Sequence, residues 1–98
     1  IEPGVTVSFS QDVYLKALSG STLIAQGAED DSIYFINDSG FNSYGISFDG
    51  NSYGSNTAND TTYLSGSYFK YCVFDNLTGN NQMNIYTPIL FVDCRLHN

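Results

Sequence analysis

The fold is decided by two stretches in the last third of the chain, Tyr-Phe-Lys-Tyr-Cys-Val-Phe-Asp-Asn (68–76) and Leu-Phe-Val-Asp-Cys-Arg-Leu-His-Asn (90–98). When the second is written beneath the first, similar side chains lie opposite each other. The matched pairs that would form a ladder are Phe69 with Phe91, Cys72 with Cys94, and Asn76 with Asn98. Because apolar residues two positions apart predict strands, the repeat predicts two similar strands that lie one on the other.

A repeat of about 22 residues is the length of one coil of a parallel β-helix, in which strands of successive coils stack about 4.8 Å apart. At that period the 98 residues hold about four coils. A related unit at 46–50 fits 72–76 at a slightly longer offset, and we assign the extra residues to a long polar loop at 51–62. Residues 1–98 are therefore predicted to be a single solenoid domain. We expect it to be a segment of, or a building block for, a longer solenoid.

The repeated Asn has a physical reason of its own. At a tight bend between strands, Asn adopts left-handed backbone angles, and its amide hydrogen-bonds to the coil above. We therefore expect Asn76 to be buried in its ladder.

The composition excludes several classes of protein. The net charge is −7, and the three basic residues, Lys16, Lys70 and Arg95, cannot neutralise a nucleic-acid backbone. A content of 42% hydrophobic and 15% aromatic residues is too apolar for a disordered chain. No apolar run approaches the roughly 20 residues of a membrane span. Ser, Thr, Asn and Gly make up more than a third of the chain and no window has helical periodicity, so the predicted fold class is all-β.

Three further stretches resemble a known family: Ile-Glu-Pro-Gly-Val-Thr-Val (1–7), Leu-Ile-Ala-Gln-Gly-Ala-Glu-Asp-Asp-Ser-Ile-Tyr-Phe (23–35) and Gly-Ile-Ser-Phe-Asp-Gly (45–50). They are similar to successive coils of the right-handed parallel β-helix repeats of secreted bacterial and archaeal surface proteins. That fold is shared by pectate-lyase-like enzymes, phage tailspikes, adhesins and structural surface proteins. The resemblance implies a right-handed, single-stranded parallel β-helix, and it leaves the activity undetermined.

The two cysteines allow more than one interpretation. Stacked on adjacent parallel coils, Cys72 and Cys94 would have Cα atoms about 4.8 Å apart, which permits a disulfide. Their side chains would run parallel, however, which favours a stacked pair of buried free thiols. Metal binding or catalysis is the least favoured use, because His97 would face the opposite side of its strand from Cys94.

Some acidic and aromatic residues are predicted to lie on the outside of the coils. Asp49, Asp75 and Asp93 occupy outward strand positions or turns, and Tyr34 and Tyr71 alternate with inward residues. Tyrosine rings among polar groups suit the binding of sugars or contact with protein, and cross-strand packing on a sheet face is their plainer interpretation. For the three carboxylates the plainer interpretation is a solvated acidic face. These five residues form the candidate carbohydrate surface.

No catalytic residue, cofactor or metal site is predicted, and the chain is not expected to be an enzyme. Glycoside hydrolysis needs two carboxylates that flank one cleft, and Asp75 and Asp93 occupy different positions of the repeat. The polar turns at 29–31 and 37–39 lack the spacing of a twelve-residue calcium loop.

Three N-glycosylation sequons begin at Asn37, Asn59 and Asn76. Asn37 and Asn59 lie in predicted loops and are the possible acceptors. Asn76 is expected to be a poor acceptor, because its ladder would bury it.

These patterns predict a structural or adhesive component of an extracellular or cell-surface protein. Neither end of the sequence carries a recognisable cap, and uncapped strand edges pair with other chains. The expected partners are therefore further copies of the chain, stacked end to end into a fibre or layer, or the flanking coils of a parent chain. The alternative is a module that binds or degrades carbohydrate, with a cell-surface glycan as its partner.

Overall fold

A computed structural model describes residues 1–9, 14–37, 45–59, 62–77 and 83–97. Twelve short strands occupy much of these ranges, and none of the described residues lies in a helix, which confirms the all-β prediction for this part of the chain. The strands are β1 (Thr6–Phe9), β2 (Leu15–Ala17), β3 (Ile24–Gln26), β4 (Ile33–Asn37), β5 (Ile46–Phe48), β6 (Asn56–Ala58), β7 (Thr62–Ser65), β8 (Tyr68–Lys70), β9 (Cys72–Asp75), β10 (Met83–Ile85), β11 (Leu90–Val92) and β12 (Arg95–His97).

Ten of these strands form three parallel sheets. The first sheet has the order β1-β4-β9-β12, the second β2-β5-β10 and the third β3-β8-β11. The chain runs from the first sheet to the second and the third and then returns to the first, so that each pass adds strands to the sheets already begun. Parallel neighbours need a long connection between them, and here the strands of the other sheets provide it.

Alternation along the strands divides inner from outer residues. On β4, Ile33 and Phe35 are fully buried, whereas Tyr34 is exposed. The ring centroid of Phe69, on the third sheet, lies 5.8 Å from that of Phe35 on the first sheet and 5.9 Å from that of Phe48 on the second. The three sheets therefore face one common core.

Aromatic rings also stack from one strand to the next within a sheet. Phe35 and Phe74 lie 5.2 Å apart with an interplanar angle of 8°, and Phe69 and Phe91 lie 5.1 Å apart at 6°. In-register parallel pairing places these side chains in successive positions of one row. Rings that are stacked and edge-to-face in this way contribute beyond the area they bury.

The constant period predicted from the sequence holds only where β11 pairs with β8 and β12 pairs with β9, which we call the last pass. Tyr68 pairs with Leu90 and Val73 pairs with Arg95, and both pairs have the offset at which the sequence repeats. On the preceding pass Tyr34 pairs with Val73 and Ile24 pairs with Tyr68, and both of these separations along the chain are much longer. Insertions at the bends lengthen the earlier passes without changing the order of the sheets.

The predicted match of 46–50 with 72–76 is wrong. Ile46 lies on β5 and pairs with Leu15 and Met83, all in the second sheet. Cys72 lies on β9 in the first sheet and pairs with Ile33. Both segments alternate apolar residues because both face the core, so alternation alone did not separate the two sheets.

The predicted polar loop at 51–62 contains a strand. Strands β6 and β7 pair antiparallel, with Thr57 opposite Tyr63 and Ala58 opposite Thr62. Neither strand has a buried apolar side chain. The alternation of apolar and polar residues that predicts a half-buried strand is therefore absent from this stretch of sequence.

Two serines hold the base of this hairpin against the third sheet. The Ser67 hydroxyl accepts a hydrogen bond of 3.0 Å from the Leu23 N–H, and the Ser55 hydroxyl accepts one of 2.7 Å from the Leu90 N–H. The Tyr63 ring stacks 4.0 Å from that of Tyr68 on β8. The hairpin thus covers the outer face of the third sheet at this point.

No helix among the described residues is both long enough and apolar enough to cross a membrane.

Candidate functional site

The last strands of the three sheets surround an apolar cavity of about 480 Å³. Strands β10, β11 and β12 each lie at the edge of their sheet, with one neighbouring strand among the described residues. We call this surface the apolar end. Its lining residues are Phe74, Leu77, Met83, Ile85, Phe91, Cys94 and Leu96.

The apolar end exposes side chains whose counterparts one strand earlier are fully buried. Leu96 is 65% exposed, whereas Phe74, its partner in register, is 0% exposed. Phe91 is 37% exposed, whereas its partner Phe69 is 0% exposed. These residues occupy inner positions of the alternation, and in the described part of the chain no strand covers them. An exposed apolar surface of this kind is a candidate site of interaction.

The two cysteines lie beside this cavity. Cys72 is fully buried at the start of β9, and Cys94 is half-buried directly before β12 and contributes to the cavity lining. Both are free thiols. The Cys72 Sγ lies 3.4 Å from the carbonyl oxygens of Ala25 and Lys70, and the Cys94 Sγ lies 3.3 Å from that of Val92.

Each thiol changes the pKa of the other. A hydrogen bond from the Cys72 thiol lowers the pKa of Cys94 to about 7, against an opposing effect of burial. The same hydrogen bond, together with burial, raises the pKa of Cys72. The negative charge of the pair therefore forms on Cys94, which is the more exposed of the two residues.

A second depression, of about 420 Å³, lies on the outer face of the first sheet. We call it the outer groove. Within it, the Asp75 Oδ1 and the His97 Nδ1 are 3.2 Å apart. The Asp75 side chain is 35% exposed and that of His97 is 72% exposed, so solvent screens this pair and it contributes little to stability. The groove is lined by Tyr34, Val73, Asp75, Arg95, Leu96 and His97.

The structure divides the candidate carbohydrate surface. Tyr34 and Asp75 both line the outer groove. Asp49 follows β5 in the second sheet, where its carboxylate accepts a hydrogen bond of 3.1 Å from the Asn51 N–H.

Tyr71 and Asp93 lie at the bends that lead from the third sheet into the first, with φ angles of 52° and 51°. Tyr71 is half-buried, and the Lys70 Nζ lies 5.3 Å from its ring centroid. Neither residue lines the outer groove.

The structure corrects the predicted burial of two asparagines, Asn37 and Asn76. Asn37 was expected in a loop, but it lies on β4, is 3% exposed, and its amide donates a 3.1 Å hydrogen bond to the Asn76 carbonyl. A buried strand residue is a poor glycosylation acceptor. Asn76 was expected to be buried, but it is exposed, with the predicted left-handed backbone at φ 58°. Here the hydrogen bond runs from the Asn37 side chain to the Asn76 backbone.

Asn59 lies at the end of the described part of its turn, exposed and with φ 56°. Asn98, the predicted partner of Asn76, lies outside the described residues. Glycosylation of Asn59 stays a prediction.

The sequence patterns missed the apolar end and the Asp75–His97 pair. The pair was detectable, because the offset that sets Phe69 against Phe91 also sets Asp75 against His97. The apolar end was not detectable, since alternation tells which side of a strand faces inward and not whether another strand covers it.

Among residues 1–9, 14–37, 45–59, 62–77 and 83–97, no three His, Cys, Asp or Glu side chains cluster as metal ligands would. No protein-family model matches the chain, and neither a curated protein nor a solved structure matches it.

Proposed function

We propose that this chain is a right-handed, single-stranded parallel β-helix and a structural or adhesive part of an extracellular or cell-surface protein. We further propose that copies of it assemble end to end. The repeated passage through three parallel sheets supports the β-helix. The resemblance of the stretches at 1–7, 23–35 and 45–50 to coils of secreted surface proteins supports the location.

The observation that carries the assembly proposal is the apolar end. Edge strands present unpaired N–H and C=O groups, and such edges pair with strands of other chains. Here the edge also exposes the apolar side chains Ile85, Phe91 and Leu96. Covering them would add hydrophobic stabilisation of about 25 cal/mol per Å² of apolar surface.

The occupant that fits this surface is the opposite edge of a second copy. The row that ends at Leu96 begins at Val7 on β1, and the row that ends at Met83 begins at Leu15 on β2. Stacking head to tail would therefore continue the rows of the first and second sheets with apolar residues, in parallel register. In the third sheet Ile1 already bonds to the edge of β3 and would have to move aside. Such a heterologous contact does not close on itself, so it produces a filament.

Sedimentation velocity and negative-stain electron microscopy of the isolated chain test this proposal. We expect association that increases with protein concentration and with salt, because salt screens the repulsion between copies of net charge −7. Leu96→Asp should weaken association about tenfold or more, since it replaces an apolar contact by a carboxylate without a partner.

The matched control is Leu64→Asp. Leu64 is 59% exposed, close to the 65% of Leu96, but it lies on the β7 hairpin and does not line the cavity. A chain that stays monomeric at all concentrations, or equal effects of the two substitutions, would contradict end-to-end assembly.

A second candidate function is the binding of a glycan in the outer groove. Tyr34 offers an aromatic face beside Asp75, Arg95 and His97, and these groups can both stack on a sugar ring and hydrogen-bond to its hydroxyls. We propose binding and not hydrolysis, because the described lining contains one carboxylate and hydrolysis uses two.

A glycan array screened with the wild-type chain tests this candidate. Binding should be lost in Tyr34→Ala and retained in Tyr53→Ala, whose ring is 60% exposed outside the groove. A wild-type chain that binds no glycan on the array would rule this candidate out.

A further inference from the structure

We propose that Cys94 and Cys72 form a thiol–disulfide exchange site whose substrate is a small-molecule disulfide. Cys94 is the attacking thiol at the cavity surface, and Cys72 is the resolving thiol behind it. Both cysteines belong to one chain, so the site needs no second copy, and the proposed end-to-end assembly would close the cavity beside Cys94.

The strand register places the two cysteines side by side. Arg95 pairs with Val73 in parallel register, which places the preceding residues, Cys94 and Cys72, in neighbouring positions of one row. Adjacent strands are about 4.8 Å apart, within the range of Cα separations that a disulfide spans. The two thiols also shift each other's pKa, that of Cys72 upward and that of Cys94 downward.

Exposure decides which sulfur reacts first. Cys94 lines a cavity of about 480 Å³ that opens to solvent, whereas Cys72 is 1% exposed. The hydrogen bond from Cys72 holds the pKa of Cys94 at about 7, so a large fraction of Cys94 is thiolate near neutral pH. A thiol with a pKa near the ambient pH is the most effective attacking group in exchange.

The reaction balances in two steps. The Cys94 thiolate attacks one sulfur of the small disulfide, a mixed disulfide forms, and one small thiolate leaves. Cys72 then loses its proton to solvent and attacks the Cys94 Sγ, the mixed disulfide breaks, and the second small thiolate leaves and is protonated. The two protein thiols are oxidised to one disulfide, and the small disulfide is reduced to two thiols.

Closure would join the bend before β12 to β9. Strand β12 has a neighbour on one side only among the described strands, and its inner residue Leu96 is mostly exposed. Oxidation would therefore tether the least covered strand of the first sheet to the rest of the sheet.

An aromatic disulfide that releases a coloured thiolate, 5,5′-dithiobis(2-nitrobenzoate), tests the proposal on the folded chain. We expect one rapid and one slow release per chain, and a final product two hydrogens lighter than the reduced protein with no reagent attached. The rate of the first release should rise with pH and reach half its maximum near pH 7, where Cys94 loses its proton because its pKa is about 7.

Two variants of the resolving residue separate its roles. Cys72→Ser keeps a hydroxyl donor to Cys94, so the pH profile should stay near that of the wild type while the reaction stops at the mixed disulfide. Cys72→Ala removes the donor, so the profile should move to higher pH as well. In Cys94→Ala, Cys72 should not react while the protein is folded. Circular dichroism checks that this variant is folded during the reaction.

A stable mixed disulfide on the wild-type chain would overturn the assignment of Cys72 as resolving thiol. Equal reactivity of Cys94→Ala and wild type, or no reaction of the wild type at all, would overturn the site itself. Because end-to-end assembly would cover the cavity that Cys94 lines, all variants are compared at a protein concentration at which sedimentation shows the monomer, so that failure of the exchange site and failure of assembly are read separately.

Discussion

Strands β9 and β12 are neighbours in one sheet and carry the same alternation, yet they differ in how much they bury. Phe74 on β9 and Leu96 on β12 are partners in register, one fully buried and the other 65% exposed. The preceding row shows the same gradient, with Cys72 buried and Cys94 half-buried. Strand β9 has a neighbouring strand on each side, whereas β12 has one described neighbour.

This difference teaches that alternation and burial are separate properties of a stacked strand. Alternation sets which side chains point inward, because successive residues of a strand face opposite sides. Burial then requires a layer on each side, and the ring of Phe74 contacts Phe35 in the layer before it and Phe91 in the layer after it. The residues of β12 have the inward pattern and lack the second layer, which makes the apolar end a candidate site of interaction.

The largest effect expected from this comparison comes from removing a ring of the middle layer. Phe74→Ala should lower the free energy of unfolding by about 3–5 kcal/mol, because it removes a fully buried ring and leaves a cavity. Leu96→Ala should change it by no more than about 0.5 kcal/mol in the monomer, as is usual for exposed positions. Urea denaturation followed by circular dichroism measures both.

Similar losses for the two variants would show that Leu96 is covered in solution by residues beyond the described ranges or by another chain. Repeating the measurement over a range of protein concentrations separates these cases, because a loss that depends on concentration indicates a second copy.

A smaller effect is expected at the one polar residue of the inner row of β4. Asn37→Ala should destabilise the protein by about 1–3 kcal/mol, because the hydrogen bond from the buried Asn37 amide to the Asn76 carbonyl is lost. Asn56→Ala, at an exposed position of the hairpin, is the control and should stay within about 0.5 kcal/mol. Thermal or urea denaturation distinguishes them, and an equal response would mean that Asn37 is not buried as described.

The smallest effect concerns the bend that follows β9. Asn76→Ala should cost about 1 kcal/mol, because Asn tolerates the left-handed backbone at φ 58° better than Ala does. Asn76→Gly should be nearly neutral, since glycine adopts that conformation freely. If Asn76→Gly unfolds at a lower denaturant concentration than Asn76→Ala, a conformational role for Asn76 is contradicted.

Much of the fold was predictable from particular residues. The match of 68–76 with 90–98 in the sequence corresponds to the parallel pairs that β8 forms with β11 and β9 forms with β12, which include Phe69 with Phe91 and Phe74 with Leu96. The lack of helical periodicity corresponds to a described chain without helix. These features are local, because side-chain alternation and strand length are written directly in the order of residues.

The earlier passes were not predictable in the same way. Ile24 and Tyr68 are partners although the β6–β7 hairpin is inserted between them along the chain. An insertion at a bend leaves the pairing intact but removes the constant period on which repeat detection depends. For the same reason Ile46 was matched with the wrong sheet.

Taken by itself, the sequence determined the all-β class, the inward-facing residues and the pairing of the last two strands of the first and third sheets. Tertiary structure alone decided which inward residues are buried, where Asn37 and Asn76 lie, and that Tyr34, Asp75 and His97 meet in one groove. The physical reason is that pattern reports the direction of a side chain within its own strand. Burial, hydrogen-bond partners and grooves depend instead on neighbours supplied by distant parts of the chain.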